Sequence, residues 1–164
     1  MKTLYLIGGT MGVGKTAVCQ QLKKSLPNSV FLDGDWCWDA DPFQVTEETK
    51  AMVQDNICHL LNNFLHCSAY ENILFCWVMH EQAIIDEILA KLDTTDCIVK
   101  FISLMVNEEN LRERLAGDIA KGIRRADIIE RSIARIPMYQ KLHTIKINTN
   151  GKTISMIADE LQAL

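Results

Sequence analysis

Residues 6–22 read LIGGTMGVGKTAVCQQL. Four glycines (Gly8, Gly9, Gly12, Gly14) and the pair Lys15-Thr16 stand between a hydrophobic run and an amphipathic one. A buried strand therefore feeds a helix through a turn with almost no side chains. Such a turn leaves main-chain N–H groups uncovered, and the helix that follows adds the positive end of its dipole, so the stretch is built to hold an anion.

The spacing Gly9-Thr10-Met11-Gly12-Val13-Gly14-Lys15-Thr16 fits G-x-x-x-x-G-K-[ST], in the strand-to-helix context that defines a P-loop. The expected anion is a nucleoside triphosphate. Gly9, Gly12, Val13, Gly14 and the amides through Ala17 wrap its phosphates, Lys15 reaches the β- and γ-phosphates, and the Thr16 hydroxyl ligates Mg²⁺.

The rest of the chain suits that start. At 164 residues and 48% apolar composition it is sized for one domain with its own core, 1–164. Lys and Arg number 17 against 21 Asp and Glu, a formal charge of -4, which gives no general attraction for nucleic acid or an anionic membrane. No apolar run reaches the roughly 18 residues of a membrane span. The N-terminal MKTLYLIGGT reads as a first strand and not as a signal peptide. The six cysteines sit singly in apolar segments with no Cys-x-x-Cys, as small hydrophobes in a reducing cytoplasm do.

Apolar runs at 3–8, 29–33, 72–79, 97–106 and 143–148 predict five strands, most of them apolar throughout, as strands buried on both faces are. Spacings of three and four predict helices over 14–25, 46–67, 82–91, 108–116, 124–136 and 152–164. Alternating strands and helices give an α/β parallel sheet covered on both sides. Pro27, Pro42 and Pro137 fall between predicted elements or at their ends. The stretch 117–125, GDIAKGIRR, carries two glycines and mixed charge between two helices, the composition of a movable lid.

Later segments narrow the class. No Asn-Lys dipeptide is present to read guanine, so GTP is not the favoured nucleotide. No strand ends in the Asp-Glu of an ATP-driven machine; the third runs FCWVMHE, with Glu81 one residue late after His80. What remains is transfer of a phosphoryl group to a small molecule. VFLDGDWCWD places Asp33 and Asp35 at the carboxyl end of the second strand, the edge where α/β sheets bind ligands. Asp33, nearer the strand, is expected to support Mg²⁺ through a water. Asp35, one glycine further out, is expected to bind the acceptor hydroxyl and take its proton.

GGTMGVGKT, FLDGD, NEENLRERL, the Arg-rich segment and INTNGKTISMIADEL together resemble the P-loop small-molecule kinases: nucleoside and nucleotide kinases, shikimate, gluconate and adenylyl-sulfate kinases, and antibiotic phosphotransferases. The resemblance spans nearly the whole chain and is most specific at the P-loop. It implies a five-stranded parallel sheet in the order 2-3-1-4-5, an acceptor-binding helical region over about 36–67, an arginine-bearing lid, and dependence on ATP and Mg²⁺. LDGD is similar to the segment by which such enzymes present an aspartate to the acceptor. The sequence departs from many of them after the third strand, where an acidic residue is replaced by Cys76-Trp77-Val78-Met79-His80.

From Arg112 to Arg135 seven basic residues face four acidic ones, a local net of +3. Arg124, Arg131 and Arg135 share a face of the predicted 124–136 helix, suited to closing over a triphosphate. By resemblance, Arg114 is similar to the arginine that packs on adenine, Arg124 or Arg125 to the lid arginine, and the 148–152 loop to the adenine edge. Trp36 and Trp38 flank Cys37 beside the candidate base, one to stack on an acceptor ring and one to pack as core. His80 and Glu81 face the same edge, with His80 a candidate acceptor contact; Trp77 and the methionines read as core, and Asp39 and Asp41 as surface. The expected activity is ATP- and Mg²⁺-dependent phosphoryl transfer to a hydroxyl or phosphate of a small molecule, nucleoside- or nucleotide-kinase-like. An antibiotic-modifying kinase and a non-catalytic ATP-binding regulator are the alternatives.

Overall fold

The computed structural model describes residues 1–164, and its first strand carries the P-loop at the centre of the sheet. Strands β1 (Lys2–Gly8), β2 (Ser29–Asp33), β3 (Asn72–Cys76), β4 (Cys97–Met105) and β5 (Ile145–Asn148) run parallel in the order β2-β3-β1-β4-β5. This is the expected order, and it puts every strand's carboxyl end on one edge. Helices α1 (Lys15–Ser25), α2 (Glu47–His66), α3 (Gln82–Ala90), α4 (Glu108–Ala120), α5 (Ile128–Gln140) and α6 (Ile154–Gln162) supply the crossovers. No helix is long and apolar enough to cross a membrane.

The two-residue period of a strand explains how one sheet builds two cores. Tyr5 and Ile7 of β1, with Leu74 and Cys76 of β3, pack with Val18 and Leu22 of α1, Leu111 and Leu115 of α4 and Leu161 of α6. Leu4 and Leu6, with Ile73 and Phe75, point the other way onto Val53, Ile57 and Leu61 of α2 and Ile85 and Ile88 of α3. Each fully buried Leu or Ile contributes about 1.5–3 kcal/mol. The central strands are therefore the stiffest part of the molecule, and the P-loop leaves from one of them.

Several boundaries differ from the sequence reading, and four of the differences have an identifiable reason. β3 ends at Cys76, not 79, because its partner β2 ends opposite it at Asp33 and turns away through the 3-10 turn Gly34–Cys37. Trp77 to His80 continue as irregular chain along the sheet edge. α4 runs through Gly117 to Ala120, so part of the expected lid is helix and the turn is confined to 121–127. α5 begins at Ile128, which leaves Arg124 and Arg125 in that turn and removes Arg124 from any helical face with Arg131 and Arg135. Pro137 lies inside α5 and not at an element's end, since Tyr139 beyond it is buried and holds the last turn against the core.

Gly34 shows how tightly the sheet edge is packed. A Cβ there would lie 2.5 Å from Cγ and Cδ1 of the Trp77 indole, where neither group can give without moving the Asp35 turn. We expect Gly34→Ala to destabilise the fold by about 1–3 kcal/mol, measured as a lower urea midpoint at unchanged m-value. An unchanged midpoint would mean that Trp77 is free to move.

Candidate active site

The P-loop is shaped by left-handed backbone at Gly12 (φ 87°) and Gly14 (φ 107°), a region that glycine enters at little cost. Gly12 has a second reason to be glycine: a Cβ would sit 2.6 Å from Leu115 Cδ2 of α4. Gly14 occupies the N-cap of α1 and offers no capping side chain, whereas α2, α4 and α6 are capped by Thr46, Asn107 and Thr153. The first amides of α1 are thus left for a ligand.

A cavity of about 380 Å³ opens in front of those amides, lined by Gly12, Gly14, Lys15, Thr16, Ala17, Asp33, Asp35, Val78, Arg114, Asp118 and Arg124 among others. Gly9 and Val13 stand behind the wall. The Gly9 carbonyl accepts from Lys15 Nζ at 2.7 Å and the Thr10 carbonyl at 3.1 Å, so the ammonium is held at the floor of the loop. Burial lowers the Lys15 pKa to about 8, against the opposing pull of Asp35 and Asp33. Triphosphate charge at this point would favour the ammonium form.

Thr16 Oγ1 donates to Asp33 Oδ2 at 2.6 Å, and Asp33, 5% exposed, also accepts from the Asp35 amide at 3.0 Å. A hydroxyl and a carboxylate oxygen side by side are the hard donors that Mg²⁺ takes, with phosphate and water oxygens filling the other positions. No group of three or more His, Cys, Asp or Glu offers a metal an all-protein cage. The acidic residue missing after β3 has a substitute in this geometry. Asp33 lies opposite Cys76 in the β2–β3 ladder, and the carboxylate reaches the P-loop from β2.

Asp35 extends into the cavity from the 3-10 turn. Partial burial, then repulsion from Asp33, raises its pKa, while Lys15 and a hydrogen bond from Trp77 favour the charged form. A carboxylate poised in this way is a competent proton acceptor.

Three ties hold the cavity's walls together. Arg114 of α4 donates to the Val13 carbonyl at 2.9 Å and the Thr149 carbonyl at 3.2 Å, clamping the P-loop to the β5–α6 turn. Thr149 is itself buried and donates to the Met105 carbonyl at 2.8 Å. Arg124 Nε bonds Asp118 Oδ2 at 3.0 Å across the 121–127 turn, with both groups in the cavity wall. Arg125 is exposed and outside it. Of the two lid candidates, the structure brings only Arg124 to the phosphates' side. Thr10, which its sequence context did not distinguish, donates to the Ser132 carbonyl at 2.7 Å and fixes the P-loop to α5.

A second, larger cavity of about 730 Å³ shares Val78 with the first. Its walls come from Trp38, Phe43 and Val45, from Val53 and Gln54 of α2, from Trp77, Val78 and His80, from Ile84 and Glu87 of α3, and from Arg135 of α5. Of the two tryptophans, one expected at the acceptor and one in the core, only Trp38 takes an expected place. Trp38 lies in this wall with its ring 4.3 Å from that of Phe43, whereas Trp36 is 56% exposed and set edge-on to Phe31, outside the cavity. Trp77, read from sequence as core, packs against the α2–α3 core and is half-buried, with Gly34 on one side and this cavity on the other. His80 lines the wall, with burial and then Arg135 lowering its pKa, so it is neutral at pH 7. Arg135 was read as part of a lid face; α5 carries it to the second cavity, a placement visible only once β3, α2 and α5 are assembled.

The same fold is found in solved structures, kinases among them. A gluconokinase from Sinorhizobium meliloti superposes with TM-score 0.70 at 15% identity, covering 98% of this chain and 90% of that one. Shikimate kinase from Acinetobacter baumannii, in complex with shikimate, gives 0.62 at 21% identity over 99% and 91%. The tunicamycin resistance protein of Deinococcus radiodurans gives 0.68 at 14% identity over 99% and 94%. No curated protein matches in sequence. The profile of the family described as "AAA domain" covers residues 6–134, from β1 through the P-loop and β4 into α5, and the chain belongs to that family.

Proposed function

We propose that the protein is an ATP- and Mg²⁺-dependent phosphotransferase that moves the γ-phosphoryl group of ATP to a hydroxyl of a small molecule. The observation that carries this reading is the position of Asp35, which lines the phosphate-sized cavity with Lys15, Thr16 and Arg124, while Val78 borders both that cavity and a larger one. A nucleotide-binding regulator has no need of a second carboxylate in the phosphate cavity beside a separate pocket of that size. The resemblance to small-molecule kinases supports the same reading, and six free cysteines suit a reducing cytoplasm.

In this mechanism the loop amides and Lys15 hold the β- and γ-phosphates in line with the acceptor. Mg²⁺, held by Thr16 and supported by Asp33, supplies neutralising charge when bound. The acceptor oxygen forms a bond to the γ-phosphorus as the bond to the β–γ bridging oxygen breaks, and ADP leaves. Asp35 takes the hydroxyl proton. Arg124 and Lys15 stabilise charge on the equatorial oxygens.

The first test is ADP release by purified protein with ATP and Mg²⁺, alone and with pooled nucleosides, nucleotides, sugar acids and hydroxyl-bearing antibiotics. Stimulation by one pool is expected. Lys15→Ala should lower the stimulated rate by at least about 10²-fold, and near-normal turnover in that variant would sink the assignment. Asp35→Asn should retain ATP binding and lose about 10²–10⁴-fold in transfer; a loss of ATP affinity instead would place Asp35 with the metal.

The pH profile has a stated sign. Lys15 binds phosphate as the ammonium, and in the free protein it loses its proton around pH 8. The kcat/KM for ATP should therefore fall as pH rises through about 8, while kcat, which reports the phosphate-bound form, falls at higher pH. On the acid side, Asp35 must be ionised, and its raised pKa places that limb above the ordinary carboxylate value of about 3.9. A kcat/KM that is flat from pH 7 to 10 would contradict the role given to Lys15.

A further inference from the structure

The larger cavity contains one charge that the protein does not answer. Among the arginines of the α4–α5 region, Arg112 pairs with Glu108 and Glu130, Arg124 pairs with Asp118, and Arg114 is held by backbone carbonyls. Arg135, half-buried in the cavity wall, has no such tie. None of the cavity's acids pairs with Arg135. Glu47 pairs with Lys50 at 3.1 Å, Glu87 accepts from Gln54 at 2.9 Å, and Glu81 stands 3.7 Å from His80. Next to Arg135, the buried Nδ1 of His80 has no hydrogen-bond partner.

The rest of the lining is flat and apolar. Trp38, Phe43, Trp77, Val78 and Ile84 present rings and methyl groups. The amide of Gln54 is used at both ends, donating to Glu87 and accepting from Lys91 at 2.9 Å. A polyol would leave most of its hydroxyls unpaired here, a cost of about 1–3 kcal/mol for each one buried. A phosphate dianion would bring a second negative charge among three glutamates, and the one other cation of the lining, Lys50, is exposed and already paired with Glu47. One unpaired guanidinium with aromatic walls fits a ring that carries a single carboxylate.

We propose that the acceptor is a flat-ringed hydroxy carboxylate anchored by Arg135, with its ring between the Trp38–Phe43 pair and Trp77 and its hydroxyl reaching past Val78 toward Asp35. The last clause rests on the phosphotransfer reading; the anchor does not.

The test uses the intrinsic fluorescence of Trp38 and Trp77, titrating the intact protein with 3-hydroxybenzoate, with its neutral isostere 3-hydroxybenzamide, and with D-gluconate as a carboxylate lacking a ring. The acid should bind roughly 10- to 100-fold more tightly than the amide, the range of one charge-assisted hydrogen-bonded pair, and more tightly than gluconate. Arg135→Gln should bring acid and amide to within about threefold, by the loss of that same pair. Arg135→Lys, measured beside it to guard against a folding defect, should keep part of the preference. Equal affinity for acid and amide in the wild type, a preference that survives Arg135→Gln, tighter binding of gluconate, or no quenching by either ring compound would each overturn the proposal. Failure of the phosphotransfer reading shows elsewhere: Lys15→Ala with near-normal turnover would end that reading and leave the selectivity at Arg135 intact.

Discussion

The uncapped N-terminus of α1 is the constraint on which the other features depend. At Gly14 the protein goes without an N-cap side chain, a loss of a few tenths of a kcal/mol when glycine stands in its place. The helix is held instead by its buried face, where Val18, Cys19 and Leu22 are almost wholly covered. At about 1.5–3 kcal/mol for each large apolar side chain, that burial outweighs the missing cap. The free amides can then serve a ligand without cost to the fold.

A loop with so little side-chain packing of its own has to be fixed from outside, and three contacts do this from three directions. Leu115 closes on Gly12 from α4, Thr10 reaches the Ser132 carbonyl in α5, and Arg114 grips the Val13 carbonyl while holding Thr149. α5 borders both cavities: the Ser132 carbonyl accepts from Thr10 of the P-loop, and Arg135, three residues on, lines the larger cavity. Positions three apart on a helix lie one turn apart on the same side, so one turn of α5 carries both the tie to the P-loop and the unpaired guanidinium.

The P-loop and the Asp33-Gly34-Asp35 turn were legible in the sequence because each is written within a few consecutive residues, and the strand order came from the resemblance that the P-loop anchors. Buried strands are apolar throughout, and glycines at fixed spacing mark the loop. The end of β3 was not legible, because Trp77, Val78 and Met79 continue its apolar run; what stops the strand is the departure of β2 at Gly34, far away in sequence. The α4–α5 boundaries were missed for the opposite reason. Gly117 reads as a helix breaker at a cost of about 1 kcal/mol, yet Ile119 packs on the core and draws the helix past it. The acceptor wall was the least legible, since Trp38, Trp77, His80 and Arg135 meet only in three dimensions.

The electrostatics of the smaller cavity follow from this assembly. Asp33, Asp35 and Asp118 face Lys15, Arg114 and Arg124, so opposed charges are close to balanced before any nucleotide enters. The Arg124–Asp118 pair has side chains about 30% exposed, and a pair so open to water contributes at most about 1 kcal/mol. In the proposed mechanism a triphosphate would offer Arg124 several charged oxygens in place of one carboxylate. Arg124, held only by that weak pair, would be free to exchange it through a movement of the 121–127 turn. The Lys15 ammonium is fixed by two carbonyls at the loop's floor and needs no such movement. On this reading one cation is set in place by the fold and the other would be drawn in by the ligand, which would divide binding of the phosphates from closure over them.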